Sequence, residues 1–153
     1  FTNQRRNSVN GQIVIVDDMA IAVELLKTIL NRAGYQNIIT YECPLRALHD
    51  IEQGLNPLLV ISDFRMPTLN GVQFLEAVLT INPSVASVII TGDPGSIGEL
   101  PPNCQVLEKG RTDFFKSLIK IVKMVNEGCH TDNFRSHTLQ QLENSNIFQK
   151  IHT

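Results

Sequence analysis

Five side chains in this sequence are of the types that handle phosphate and divalent cations: Asp17, Asp18, Asp63, Thr91 and Lys109. Each stands at the end of a short apolar run. Ile13-Val14-Ile15-Val16 leads to Asp17-Asp18, Leu58-Leu59-Val60-Ile61 to Asp63, Val88-Ile89-Ile90 to Thr91, and Cys104 to Leu107 to Lys109. Three carboxylates gathered in one place repel each other, and at least one stays protonated unless something intervenes. A hard divalent cation removes the conflict. Mg²⁺ suits carboxylate, carbonyl and water oxygens, and it uses one or two carboxylates while keeping several waters. Such a site has room for phosphate oxygens. A carboxylate nucleophile, a metal and an ammonium are the parts needed to transfer a phosphoryl group by positioning and electrostatics. Lys109 is a flexible point charge suited to a phosphate oxygen, and the Thr91 hydroxyl can donate to another.

Taken singly, these residues say little. Asp17-Asp18 could cap a helix, Asp63 could cap a turn before Met66-Pro67, Thr91 is a common strand former, and an isolated lysine is usually a solvated charge. Their order and their placement at strand ends carry the argument.

The elements that must position them follow an alternating pattern. Continuous β-branched runs suit strands covered on both faces, as in a parallel sheet. Helical periodicity appears over Met19–Ala33, with Ile21, Leu25, Leu26, Ile29 and Leu30, and stops at Gly34. Ile38–Tyr41 reads as a strand. Pro44–Gln53 reads as a helix ended by Gly54, and Gly71–Thr80 as another. Thr112–Asn126 is a last helix, with Phe115, Leu118, Ile119, Val122 and Val125 as its apolar stripe. The leucines of the first helix and the phenylalanines of the last are expected in the core. Strands alternating with helices imply crossover connections and a parallel sheet. The expected fold is α/β: a flavodoxin-like three-layer sandwich with a five-stranded parallel sheet of order 2-1-3-4-5. In that order strands 1 and 3 flank the point where ligands bind beyond the carboxyl ends. Between Thr91 and Lys109, three glycines and three prolines argue that the fourth helix is short or degraded, leaving a loop or one short turn. The Gly92–Gly98 stretch lacks the Gly-Lys-Ser/Thr ending of a phosphate loop.

With 153 residues, 42% of them apolar, the chain is long enough for one domain with a core. Residues 1–11 are polar and read as a disordered lead-in, 12–127 as the domain, and 128–153 as a linker or a C-terminal helical tail. Leu139, Leu142, Ile147, Phe148 and Ile151 of that tail form a sparse helical stripe, which suggests an extra C-terminal helix. The net charge of −2, without a long basic run, gives no support to a nucleic-acid surface. Cys43, Cys104 and Cys129 are widely spaced and odd in number, which disfavours a disulfide framework or zinc site and fits a reducing, cytoplasmic setting. Neither a membrane span nor a signal peptide is visible, although a chain opening on Phe1 reads as a fragment.

Asp17-Asp18, Asp63-Phe-Arg-Met-Pro67 followed by Asn70-Gly71, Thr91-Gly92 and Lys109 together resemble the response-regulator receiver family, over roughly residues 12–127. The resemblance implies a signalling switch, not a metabolic enzyme. Asp63 would be phosphorylated by a histidine kinase or a histidine phosphotransfer protein. Mg²⁺ would be held by Asp18, Asp63 and the backbone carbonyl of Arg65, with Asp17 acting through water. Thr91 and Lys109 would contact the phosphoryl group. A protein partner or attached output domain would respond, and a homodimer is compatible with the pattern. Three features depart from the family: Gly110 follows the lysine where proline is usual, Val106 stands where an aromatic residue is usual, and the Thr91–Lys109 stretch is short. They motivate an alternative, a degenerate receiver acting as a phosphorylation-independent dimerisation or protein-binding module. A dehalogenase-type phosphatase ranks behind both, because its second acid would fall at Arg65. Arg65 and Asp93 are either partners across the pocket mouth or exposed loop charges.

Overall fold

The computed structural model describes residues 11–128. Its elements alternate along the chain: β1 (Ile13–Val16), α1 (Ala20–Arg32), β2 (Ile38–Tyr41), α2 (Pro44–Glu52), β3 (Leu59–Asp63), α3 (Gly71–Ile81), β4 (Ala86–Thr91), a 3-10 turn (Pro94–Ser96), β5 (Cys104–Glu108) and α4 (Phe114–Asn126). All four strand pairings are parallel and the sheet order is β2-β1-β3-β4-β5. The flavodoxin-like arrangement expected from the pattern is therefore present. The lead-in over residues 1–10 and the tail from residue 129, with its expected helix, lie outside the described residues.

Strand parity sorts the core into two layers. Ile13, Ile15, Leu59 and Ile61 face α1 and α4, where they meet Leu26, Leu30, Leu118 and Val122. Val14, Val16, Val60 and Ile89 face α2 and α3, where they meet Ala47, Ile51, Phe74, Leu75 and Val78. Every residue of β1, β3 and β4 is buried, which is why these strands are mostly apolar and show no polar face, with Ser62, Asp63, Ser87 and Thr91 as their buried polar residues. The edge strand β2 is half-buried throughout.

The crossover from β4 to β5 contains no α-helix. Pro94 and Gly95 permit one 3-10 turn, and Pro101-Pro102 carries the chain into β5. Ile97 and Leu100 pack against the second core layer where a helix would otherwise lie.

The helical stripes are rotated relative to the sequence expectation. In α1 the buried positions are Val23, Leu26 and Leu30. Ile21 is 80% exposed and Leu25 50% exposed. Ile21 precedes Val23 by two residues, about 200° around the helix, so both cannot face the sheet. In α4 the core takes Leu118, Val122 and Val125, and Phe115 is 39% exposed. Leu25 and Phe115 are thus surface residues, not core.

The start of α3 is fixed by a reciprocal cap. The Gln73 N–H donates to Asn70 Oδ1 at 2.9 Å, and the Asn70 N–H donates to Gln73 Oε1 at 3.0 Å. Asn70→Ala is expected to lower stability by about 1 kcal/mol. The measurement is the urea midpoint, which should fall with the slope unchanged.

Candidate functional site

The sheet delivers the site residues through its backbone ladder. Asp17 continues β1 by one residue, and its N–H donates to Tyr41 O at 3.1 Å. Asp63 is the last residue of β3 and pairs with Ile90. The ladder runs on one step past each strand: the Phe64 N–H donates to Ile90 O at 2.9 Å and the Lys109 N–H to Thr91 O at 2.8 Å. The ends of β1, β3, β4 and β5 are therefore tied side by side, and the five residues singled out by sequence share one sheet edge.

Asp17 and Asp63 are buried and Asp18 is exposed. One oxygen from each of the three lies within 4.8 Å of the others. Lys109 Nζ sits 2.7 Å from Asp63 Oδ1, with the carboxylate nearly enclosed and the lysine half exposed. A charge-assisted contact of this length in a buried setting holds both groups in place. Asp17 Oδ1 accepts from the Met19 N–H at 3.0 Å. Thr91 is buried, and its Oγ1 accepts from the Asp93 N–H at 3.1 Å, so the hydroxyl proton is free to donate elsewhere.

One ammonium facing three carboxylates leaves an excess of negative charge. The Asp17 carboxyl, withdrawn from solvent beside these charges, is pushed up to about 6. Burial is the main cause. The Asp63 and Asp18 charges add to it, and the Met19 N–H and Lys109 oppose it. An all-oxygen set of three converging carboxylates is the chemistry a hard divalent cation selects, so the residues present fit Mg²⁺.

Arg65 and Asp93 are both exposed, and the ion pairs among the described residues do not join them. The loop reading is the one the structure contains. Val106 is half-buried in β5 and pairs with Ile89, so β5 itself offers a valine, not an aromatic ring, at this position.

Sequence reasoning did not find the part Gly71 plays. Its N–H donates to Phe64 O at 2.7 Å, and a Cβ there would stand 2.6 Å from Asp63 O. The loop from Phe64 to Asn70 folds back so closely on the end of β3 that only a glycine fits. Thr68 turns through a left-handed φ of 75° to do so. In the sequence Gly71 stood as the start of a helix and as part of the Asn70-Gly71 resemblance, with no sign of the close approach it permits.

Comparison with known proteins agrees with this geometry. The family model described as "Response regulator receiver domain" matches residues 13–123. The transcriptional regulatory protein FixJ of Bradyrhizobium diazoefficiens is 28% identical over 109 residues, covering 71% of this chain and 50% of that protein. The chemotaxis protein CheY of Thermotoga maritima is 25% identical over 103 residues, covering 67% of this chain and 82% of that one. The chain thus spans half the length of FixJ, and 22% of a Xanthomonas protein-glutamate methylesterase that it also resembles. Among solved structures, a response regulator receiver protein from Sinorhizobium medicae shares the fold with a TM-score of 0.67. It is 24% identical, and the match covers 78% of this chain and 97% of that one. With the sheet order, the strand-end acids and a family match over most of its length, the chain belongs to the response regulator receiver family of two-component signalling.

Proposed function

We propose that residues 12–127 form a phosphoacceptor switch in which Asp63 takes a phosphoryl group from a histidine kinase or histidine phosphotransfer protein. The observation that carries this reading is the 2.7 Å Lys109–Asp63 contact beside a cluster of three carboxylates. Asp18 and Asp63 would hold Mg²⁺ together with the backbone carbonyl of Arg65, with Asp17 acting through water. When bound, the ion would neutralise the acidic cluster and the charge developing on the phosphoryl oxygens. Asp63 presents a carboxylate oxygen from a buried strand end, so the nucleophile is held in place before a donor arrives. Lys109 meets one phosphoryl oxygen, exchanging its contact with Asp63 for one with the phosphoryl group. The free hydroxyl proton of Thr91 meets another, keeping its acceptor bond from the Asp93 N–H.

The complete set of acids and lysine favours this over the degenerate-module alternative. Signal output would then pass through the Thr91–Asp93 turn and the 3-10 segment to a partner or an attached output domain. A cytoplasmic location fits such a role, and no helix among the described residues is long and apolar enough to cross a membrane. Beyond its own phosphorylation and slow hydrolysis, no catalysis is expected.

Incubation with acetyl phosphate and Mg²⁺ should add one phosphoryl group by intact mass. EDTA or Asp63→Asn should abolish the addition. Wild-type protein that stays unmodified under these conditions would overturn the assignment.

A further inference from the structure

A groove of about 320 Å³ opens beside Lys109, the partner of Asp63, between α1 and the start of α4. Leu25, Leu26, Phe114 and Phe115 supply apolar walls, while Lys109 and Arg111 stand with Asp17 at its polar part. The volume is at the small end of ligand pockets, which span roughly 300–1,000 Å³. The Phe114 and Phe115 rings meet edge to face, with centroids 5.1 Å apart and planes at 82°. This pair offers both a ring face and a ring edge to a further aromatic group. Gly110 lies on the wall with a left-handed φ of 84°, and a Cβ there would meet nothing within 4 Å. The wall therefore carries no side chain between Lys109 and Arg111. Arg111 is held between Glu108 at 3.8 Å and Asp113 at 3.3 Å, which keeps a second cation near the opening.

The groove thus joins an aromatic-lined hollow to the lysine that contacts the acceptor. We infer that it is a subsite for the acyl part of small-molecule phosphodonors, and that it selects acyl phosphates bearing an aromatic group over acetyl phosphate. The inference rests on the phosphoacceptor reading of Asp63. In the transfer, an Asp63 carboxylate oxygen bonds to phosphorus as the bond from phosphorus to the acyl oxygen breaks. The electron pair leaves with the aromatic carboxylate, and no proton is taken up or released. The phosphoryl group lies toward Lys109, and the ring lies against Leu25, Phe114 and Phe115. Asp17, the acid in the wall, has one oxygen turned to the Met19 N–H.

The test compares benzoyl phosphate with acetyl phosphate as donors to the full chain in Mg²⁺, read as the rate of phosphoryl addition by intact mass. The ratio of the two rate constants is compared with the same ratio in Leu25→Gln/Phe115→Ser, which cancels the donors' intrinsic reactivity. Both substituted positions are exposed, so the fold should tolerate the change. Partial burial of one ring predicts a ratio about tenfold higher in the wild type than in the variant. Phenyl phosphate, a poor donor, should shift the methyl resonances of Leu25 and Leu26, and inorganic phosphate should not. Equal ratios in the two proteins overturn the inference while leaving Asp63 as acceptor. Failure of both donors to modify Asp63 overturns the acceptor reading and the subsite with it.

Discussion

Gly71→Ala is expected to cost about 2–3 kcal/mol of stability and to slow phosphoryl addition at Asp63. The added Cβ would stand 2.6 Å from Asp63 O and 3.1 Å from the Phe64 Cα. Both are backbone atoms at a buried strand end, so no flexible side chain can give way. Alanine's better helix propensity, about 1 kcal/mol at an interior position, works the other way and counts for less in a first turn. The clash wins. Relief requires moving the carbonyl of Asp63 or the start of α3, and each is tied. The Phe64 N–H is bonded to Ile90 O at 2.9 Å and the Gly71 N–H to Phe64 O at 2.7 Å. A shift of the Asp63 backbone would also disturb its carboxylate's contact with Lys109, which is 2.7 Å. The control is Gly92→Ala, also beside the site, where a Cβ would meet nothing within 4 Å. Urea midpoints and acetyl phosphate labelling rates for the two variants decide the matter. Equal behaviour of the two would sink the argument that the Phe64–Asn70 loop is held in place by close backbone approach.

The parts legible in the sequence are those governed by local chemistry and strand position. A run such as Val14-Ile15-Val16 admits few readings besides a strand covered on both faces, and Asp17, Asp63, Thr91 and Lys109 inherit their common edge from strand order alone. The missing helix between β4 and β5 was equally legible, because Pro94, Gly95, Gly98 and Pro101-Pro102 leave no helical register. What stayed hidden depends on rotation and close approach. The apolar residues of α1 fill more than half its circumference, so periodicity could not say whether Ile21 or Val23 faces the sheet. The answer comes from where the helix axis lies against β1 and β2. Phe115 was hidden for the same reason, since its neighbour Phe114 turns to the core instead. Gly71 was hidden because the contact it permits joins residues eight apart through a loop whose path no pattern encodes.

In metal-free protein, Asp17→Asn is expected to raise stability at pH 7.5, with an upper value of roughly 3 kcal/mol. That figure is the rise from 3.8 to about 6 taken at about 1.4 kcal/mol per pKa unit. The sign follows from linkage. The folded state holds the Asp17 proton more tightly than the unfolded chain does, so folding is penalised when the group is ionised. The penalty is complete above pH 6 and is relieved as pH falls from about 6 toward 3.8. Asparagine keeps an oxygen for the Met19 N–H bond and removes the charge, although it also loses the attraction of Lys109, which trims the gain. Between pH 7.5 and 4.5 in EDTA, the wild type should therefore gain stability on the variant as the acid limb is approached. Mg²⁺ should act in the opposite sense. A cation that binds the folded acidic cluster stabilises in proportion to its affinity, and the wild type, with one more carboxylate at the site, should gain more than Asp17→Asn at pH 7.5. Thermal unfolding of both proteins, with EDTA and with Mg²⁺, provides the four values needed. A wild type at least as stable as the variant in EDTA at pH 7.5 would show that Asp17 is not under electrostatic stress. The Asp17 carboxylate is thus best understood as a group kept at a cost to the empty fold, a cost that a cation in the acidic cluster would offset.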